Sequence, residues 1–146
     1  MKRWGYKLKE EYLINVVNEK ITNGIEDTVT EFKVNNKEPD MIGEYISALS
    51  NSATLADKDY AYVIWGVEDE KKSIVGTEFN HNEIKVGNEE LLSWLNRVIK
   101  PSLHFSFHSI QIDEHNLTIL RIPKATHQPI AFKSTEYIRI GSYKKS

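Results

Sequence analysis

The chain of 146 residues contains no cysteine. This absence excludes disulfide bonds, thiolate nucleophiles and every cysteine-based zinc site. Long apolar runs are also missing, since a stretch such as YAYVIWGV (residues 60–67) is far shorter than the roughly 20 residues that a membrane span needs. The N-terminal stretch MKRWGYKLKEEY has no apolar signal-peptide core. The sequence therefore predicts a soluble cytoplasmic protein with no zinc and no membrane partner.

Several motifs of common enzymes are missing as well. Neither GxGxxG nor GxxxxGK[ST] occurs, so the sequence indicates no glycine-rich nucleotide-phosphate loop. No serine stands in a G-x-S-x-G context, and a Ser/His/Asp triad is not indicated. His104 and His108 share a predicted strand, where four residues of rise separate them by about 13 Å. That distance is too long for both imidazoles to bind one metal ion directly.

Positive charge is not in excess overall, because the formal net charge is −2. Its distribution is uneven. From Arg97 onward the chain has eight Lys or Arg residues against three acids and carries +5, which leaves −7 on the preceding part. The asymmetry predicts one region suited to phosphates and another suited to a cation.

The pattern of apolar residues predicts an α+β fold. Helical spacing favours helices over residues 9–23, from about Pro39 onward, and over about 88–99. Strands are predicted in TVTEFKV, YAYVIWGV, SIVGTEF, LHFSFHSIQID, LTILRIP and EYIRIGSY. We expect a mixed, mainly antiparallel sheet flanked by about three helices, in a single domain over residues 1–146. Because the chain stops directly after a strand, we expect it to be the N-terminal module of a longer protein.

Acidic residues surround the first predicted strand. Glu26 lies at its start and Glu31 within it, with Lys33 on the same face, and Asp69 follows the central strand. If these strands are neighbours, three carboxylates converge at one sheet edge, as in sites for Mg²⁺ or Mn²⁺. With Lys33 to place a phosphate, such a site could cleave phosphodiesters. The alternative is a solvated strand face with an ion pair worth under about 1 kcal/mol.

The C-terminal segment combines basic and aromatic side chains, which suits a nucleic-acid surface. On its last predicted strand Tyr137, Arg139 and Gly141 share one face, and Ile138 and Ile140 share the other. Arg139 could bind a phosphate in a bidentate manner. The alternative is a solvated edge strand whose lysines prevent aggregation.

Five short motifs occur in one order along the chain: EDTVTEFKVNN, EYISALSNSA, IWGVED with IVGT, QPI and EYIRIGS. This order resembles the Schlafen/AlbA-type nucleic-acid-binding domain, often found at the N-terminus of bacterial proteins with a divergent ATPase-like region. The resemblance spans Ile25 to Ser142. It implies an α+β domain that binds DNA or RNA. For the Schlafen branch the resemblance implies an endoribonuclease that uses a divalent cation and three carboxylates. The positions of these carboxylates correspond to Glu26, Glu31 and Asp69 of this chain. The chain departs from the family where SATLADKDYAY replaces a Gly-Gly pair.

Three hypotheses follow. The first is a DNA- or RNA-binding module of a bacterial regulatory or defence protein, such as a transcriptional regulator. Its predicted contacts are Lys33, Lys133, Tyr137, Arg139, Lys144 and Lys145. The second is a Mg²⁺- or Mn²⁺-dependent endonuclease that uses Glu26, Glu31, Asp69 and Lys33. The third is a protein-interaction module whose acidic part docks a C-terminal ATPase-like region, and a homo-oligomer is left open.

Overall fold

The computed structural model describes residues 2–23, 29–141 and 143–146. In these ranges the helices are α1 (Lys2–Asn23), α2 (Pro39–Leu55) and α3 (Leu91–Val98), with a 3₁₀ turn at His81–Glu83. The strands are β1 (Thr30–Lys33), β2 (Tyr60–Trp65), β3 (Val67–Glu68), β4 (Ser73–Ile74), β5 (Lys85–Val86), β6 (Glu89–Glu90), β7 (Ile99–Lys100), β8 (Ser106–Ile112), β9 (His115–Pro123), β10 (Ala131–Phe132), β11 (Thr135–Glu136), β12 (Ile138–Ile140) and β13 (Tyr143–Lys145). None of the helices described is both long and apolar enough to cross a membrane.

The main sheet has the strand order β1-β2-β9-β8. β1 runs parallel to β2, whereas β2 with β9 and β9 with β8 are antiparallel pairs. The predicted α+β class with a mixed, mainly antiparallel sheet and three helices is thus confirmed. The register aligns Thr30, Tyr62, Arg121 and Ser106 across the four strands, so these four side chains lie on one face.

The sheet is covered on both faces, which explains the apolar character of β2. Alternate residues of a strand point to opposite sides. Val63 and Trp65 belong to a core with α2 and α3, whereas Ile64 belongs to a second core with α1. Residues on both faces of β2 are therefore buried, as expected for a central strand between two layers.

Helix α2 fixes the C-terminal segment through buried polar side chains of the ISALSNSA motif. Asn51 donates hydrogen bonds to the carbonyls of Ile130 (2.9 Å) and Tyr137 (2.8 Å), and its side-chain oxygen accepts one from the Ile130 amide (2.8 Å). Ser47 donates to the Ile130 carbonyl (2.7 Å) and accepts from the Tyr137 amide (2.9 Å). These bonds satisfy backbone groups that would otherwise be buried unpaired. The motif therefore places β10 to β13 beside α2.

Glycine is required at one point of this contact. A Cβ atom at Gly43 would overlap the ring of Phe132, which is itself buried and packed edge-on against Trp94. The bare helix backbone at Gly43 lets β10 lie directly on α2.

The end of the chain differs from the predicted single strand. EYIRIGSY forms β12, a turn at Gly141 with a φ of +60°, and the start of β13, and the two strands pair antiparallel. Ile138 and Ile140 are exposed, whereas Arg139 points into the protein. The predicted facing of this strand, with Arg139 outward, is therefore wrong. The physical reason is an acidic partner for Arg139 inside the protein.

Two predicted boundaries also change. The third helix begins at Leu91 rather than near residue 88, because Glu89 and Glu90 pair with β5. The first helix extends back to Lys2. The polar stretch EDEKK lies in the hairpin formed by the antiparallel pairing of β3 with β4.

Candidate functional site

Arg139 and Glu31 form an ion pair inside the protein. The Nη2 atom of Arg139 lies 2.7 Å from Oε1 of Glu31, and the exposed fractions of the two side chains are 0% and 7%. Arg139 also donates a hydrogen bond to the Thr30 carbonyl, and its own amide donates to Ser52 Oγ (3.0 Å). The prediction that Arg139 contacts phosphates must therefore be corrected. Its guanidinium binds the acidic residue of β1 and has no access to solvent.

The second oxygen of Glu31 binds Lys33. The Nζ atom of Lys33 lies 3.2 Å from Oε2 of Glu31, as the spacing of two residues on one strand face permits. The Lys33 side chain keeps 24% exposure, and its ammonium group lies 5.4 Å from the ring centroid of Tyr45 on α2. The Glu31 carboxylate is thus neutralised by a buried arginine on one side and by a partly exposed lysine on the other.

The predicted three-carboxylate site is not assembled from the described residues. Asp69 lies in the exposed turn between β3 and β4 and pairs with Lys72 at 3.1 Å. Glu26 lies outside the described residues. Both oxygens of Glu31 already bind cations, and in the described part of the chain no group of three or more His, Asp or Glu side chains could hold a metal ion. The Mg²⁺ or Mn²⁺ site stays a prediction.

Three lysines that the sequence singled out lie along the outer side of α2. Lys144 of β13 binds Glu44 at 2.8 Å, and Lys133 of the β10–β11 turn binds Asp40 at 2.9 Å. Asp40 and Glu44 are neighbours on this helix because residues four apart lie one turn from each other. Together with Lys33 these lysines form a surface that we call the lysine row (Lys33, Lys133 and Lys144).

Tyr45 joins two members of the lysine row. Its ring centroid lies 4.3 Å from Nζ of Lys144 and 5.4 Å from Nζ of Lys33. Measured through this shared ring, the two ammonium groups are at most about 10 Å apart. Each also gains a cation–π contact, worth roughly 0.5–1 kcal/mol at an exposed site. The tyrosine therefore holds two positive charges at one end of the row.

The acids between the lysines were not identified from the sequence. Asp40 and Glu44 stand at helical spacing on α2, and that spacing was the available signal, because it predicts two carboxylates on one helix face. Tyr45 is buried. Tyr137, predicted as a stacking residue, is half-buried and packs against the core on the α2 side. Lys145 is exposed beside Lys144.

The comparisons with known proteins identify the family. The family model described as "Schlafen, AlbA_2" matches residues 26–146, which is most of the chain. The chain therefore belongs to the Schlafen AlbA_2 family. No curated protein matches it.

Two solved structures share the fold. The DIP2311 protein of Corynebacterium diphtheriae aligns with a TM-score of 0.53 and 17% identity, over 94% of this chain but only 26% of that one. The second structure is the N-terminal domain of a Nitrosomonas europaea protein named as related to the ATP-dependent DNA helicase RecG. It aligns with a TM-score of 0.53 and 19% identity, over 90% of this chain and 86% of that domain. At these identities the likeness shows the fold alone.

Proposed function

We propose that this domain binds DNA or RNA through the lysine row. The observation that carries the proposal is convergence: Lys33, Lys133 and Lys144 come from three separate segments and lie beside one helix. Lysine ammonium groups bind phosphates as point charges, and rows of them supply the sequence-independent part of nucleic-acid affinity. Lys145 extends the charged surface at its exposed end.

The acids beside the lysines are compatible with this role. In the free domain Asp40 and Glu44 hold Lys133 and Lys144 in defined positions. The Lys133 pair is largely exposed, and exposed ion pairs typically contribute no more than about 1 kcal/mol. A phosphate can therefore replace Asp40 as the partner of Lys133 at small cost. Binding then depends on the release of counterions from the nucleic acid and weakens as salt rises.

The family membership supports a nucleic-acid-related role. We infer further that the domain serves as the recognition module of a larger bacterial regulatory or defence protein. The fold shared with the N-terminal domain of the RecG-related protein supports this part of the proposal.

Removal of the competing acids tests the proposal. We expect Asp40→Asn combined with Glu44→Gln to raise affinity for DNA or RNA roughly tenfold at low salt. Two unit charges 4 Å apart in water interact by about 1 kcal/mol, and 1.4 kcal/mol is a factor of ten in affinity. Fluorescence anisotropy with labelled duplex DNA, single-stranded DNA and structured RNA measures the change.

The matched control is Glu70→Gln combined with Glu114→Gln, which removes the same charge from two turns, β3–β4 and β8–β9. This control should raise affinity by less than about twofold, because exposed charges beyond a Debye length of about 10 Å are screened at 0.1 M salt. An equal gain from both double variants would contradict the proposed surface. Failure of the wild-type domain to bind any of the three nucleic acids at low salt would contradict the function itself.

A further inference from the structure

A cavity of about 500 Å³ lies at the end of the sheet where β2 begins and β9 ends. Arg121 and Lys124 of this region line it, together with His104 and the ring of Tyr60. Arg121 belongs to the sheet face that α1 covers, whereas Glu31 and Lys33 belong to the opposite face. The cavity is therefore separate from the lysine row.

Tyrosine side chains hold Arg121 in place. Its guanidinium carbon lies 3.5 Å from the ring centroid of Tyr60 and 5.2 Å from that of Tyr12 on α1. The Tyr12 hydroxyl is 2.7 Å from the hydroxyl of Tyr62, the register neighbour of Arg121. Burial, followed by this hydrogen bond, raises the pKa of Tyr62, so the phenol stays neutral and does not compensate the arginine. Stacking on these rings and a hydrogen bond with Tyr62 thus orient the guanidinium, and none of these neutral groups supplies a negative charge.

The charge of Arg121 has no acidic partner among the residues that the structure describes. Its buried Nε atom also has no hydrogen-bond partner there. Burial of a charged group is costly unless it is paired. Arg139, by contrast, lies against Glu31. An arginine that is held beside an open cavity and has no acidic partner in the described part of the chain is prepared to receive an anion.

The remaining lining completes an anion site. Lys124 contributes a second permanent positive charge, and its partner Asp59 lies 3.4 Å away with 82% exposure, in water. Ser102 and Thr126 contribute hydroxyl groups, whereas the hydroxyl of Ser106, which also lines the cavity, is hydrogen-bonded to Nε2 of His108 at 2.8 Å. No described carboxylate lines the cavity. Two positive charges and the neutral hydroxyl groups, with no acid lining the cavity among the residues that the structure describes, match a dianion.

We propose that this cavity binds a phosphate monoester, either of a free nucleotide or at the end of a nucleic-acid strand. Arginine offers paired N–H donors that match two phosphate oxygens, and charge-assisted bonds of this kind are the strong ones. The two permanent charges of Arg121 and Lys124 suit the dianionic monoester better than a singly charged diester. The volume lies within the range of about 300–1,000 Å³ that is common for small-ligand sites.

Calorimetric titration of the whole chain with inorganic phosphate and with adenosine 5′-monophosphate tests the proposal. Arg121→Gln should weaken the binding of both at least tenfold, and Lys124→Gln should weaken it about threefold or more. Lys58→Gln, an exposed lysine outside the cavity, should leave it unchanged, as should Lys33→Gln combined with Lys144→Gln. Lys124 is partly exposed and can be replaced without disturbing the core, so its variant keeps the test valid if Arg121→Gln fails to fold.

A pair of oligonucleotides of one sequence, with and without a 5′-phosphate, distinguishes the two sources. Tighter binding of the phosphorylated strand, abolished in Arg121→Gln and Lys124→Gln, assigns the cavity to a strand end. Equal binding of the two strands together with binding of the nucleotide assigns it to a free nucleotide. The proposal is overturned if inorganic phosphate, the nucleotide and the phosphorylated end all fail to bind in the millimolar range. It is also overturned if both cavity variants bind like the wild type. Neither result bears on the lysine row.

Discussion

Replacing Arg139 by methionine is expected to lower the free energy of unfolding by about 3–5 kcal/mol, because removal of the buried partner leaves one oxygen of a buried carboxylate without its cation. The stranded group would be Glu31, whose side chain is only 7% exposed. Lys33 compensates Glu31 only in part, because the lysine side chain reaches solvent whereas the carboxylate is buried. Urea denaturation followed by circular dichroism measures the change.

Two controls separate the buried charge from a general loss of packing. Lys133→Met removes a lysine from an exposed ion pair and should cost less than about 1 kcal/mol. Glu31→Leu combined with Arg139→Met removes both charges and should restore most of the stability, as replacing both members of a buried pair often does. If Arg139→Met costs no more than Lys133→Met, the ion pair does not have the role assigned to it. The same holds if the double variant is as unstable as the single one.

Replacing Lys33 and Lys144 together by glutamine is expected to lower affinity for nucleic acid at least tenfold at low salt. Both ammonium groups adjoin Tyr45, so one phosphate segment can contact both. Removing one lysine–phosphate interaction should also reduce the slope of log K against log salt by about 0.9 for duplex DNA or about 0.7 for a single strand. The slope should therefore fall by roughly 1.8 or 1.4 in the double variant. Anisotropy titrations at several salt concentrations give both quantities.

The matched control for this variant is Lys58→Gln combined with Lys71→Gln. Both lysines are exposed: Lys58 follows α2, and Lys71 lies in the β3–β4 turn. Their replacement changes the net charge by the same amount as the replacement of Lys33 and Lys144. Affinity and slope should stay within about twofold and 0.3 of the wild-type values. An equal decrease in both double variants would show that net charge, rather than the lysine row, governs binding.

Local patterns sufficed for much of the fold. The apolar run of β2, the helical spacing of α2 with Pro39 at its first turn, and the polar turn between β3 and β4 each report on their own neighbourhood. The facing of β12 could not be predicted in this way. Arg139 turns inward because Glu31, 108 residues earlier in the chain, lies there to bind it. Exposing Ile138 and Ile140 costs less free energy than leaving the charges of Arg139 and Glu31 unpaired.

The candidate site was predictable only where it depends on local sequence. The basic C-terminal segment is visible as composition, and it contributes Lys133 and Lys144 to the lysine row. The acids of α2 that hold these lysines depend on the tertiary placement of β10 to β13, which the Ser47 and Asn51 hydrogen bonds determine. Arg121 was not singled out, because its setting beside three tyrosines depends on the pairing of β9 with β2, which carries Tyr60 and Tyr62, and on the packing of α1, which carries Tyr12.

Protection of lysines from acetylation, measured by mass spectrometry with and without bound nucleic acid, tests the central claim most directly. The lysine row as the contact surface predicts that Lys33, Lys133 and Lys144, with Lys145 beside them, become protected in the complex. Lys58 and Lys71 should react at the same rate in both samples. Unchanged reactivity along the row, with protection at Lys58 or Lys71 instead, would contradict it.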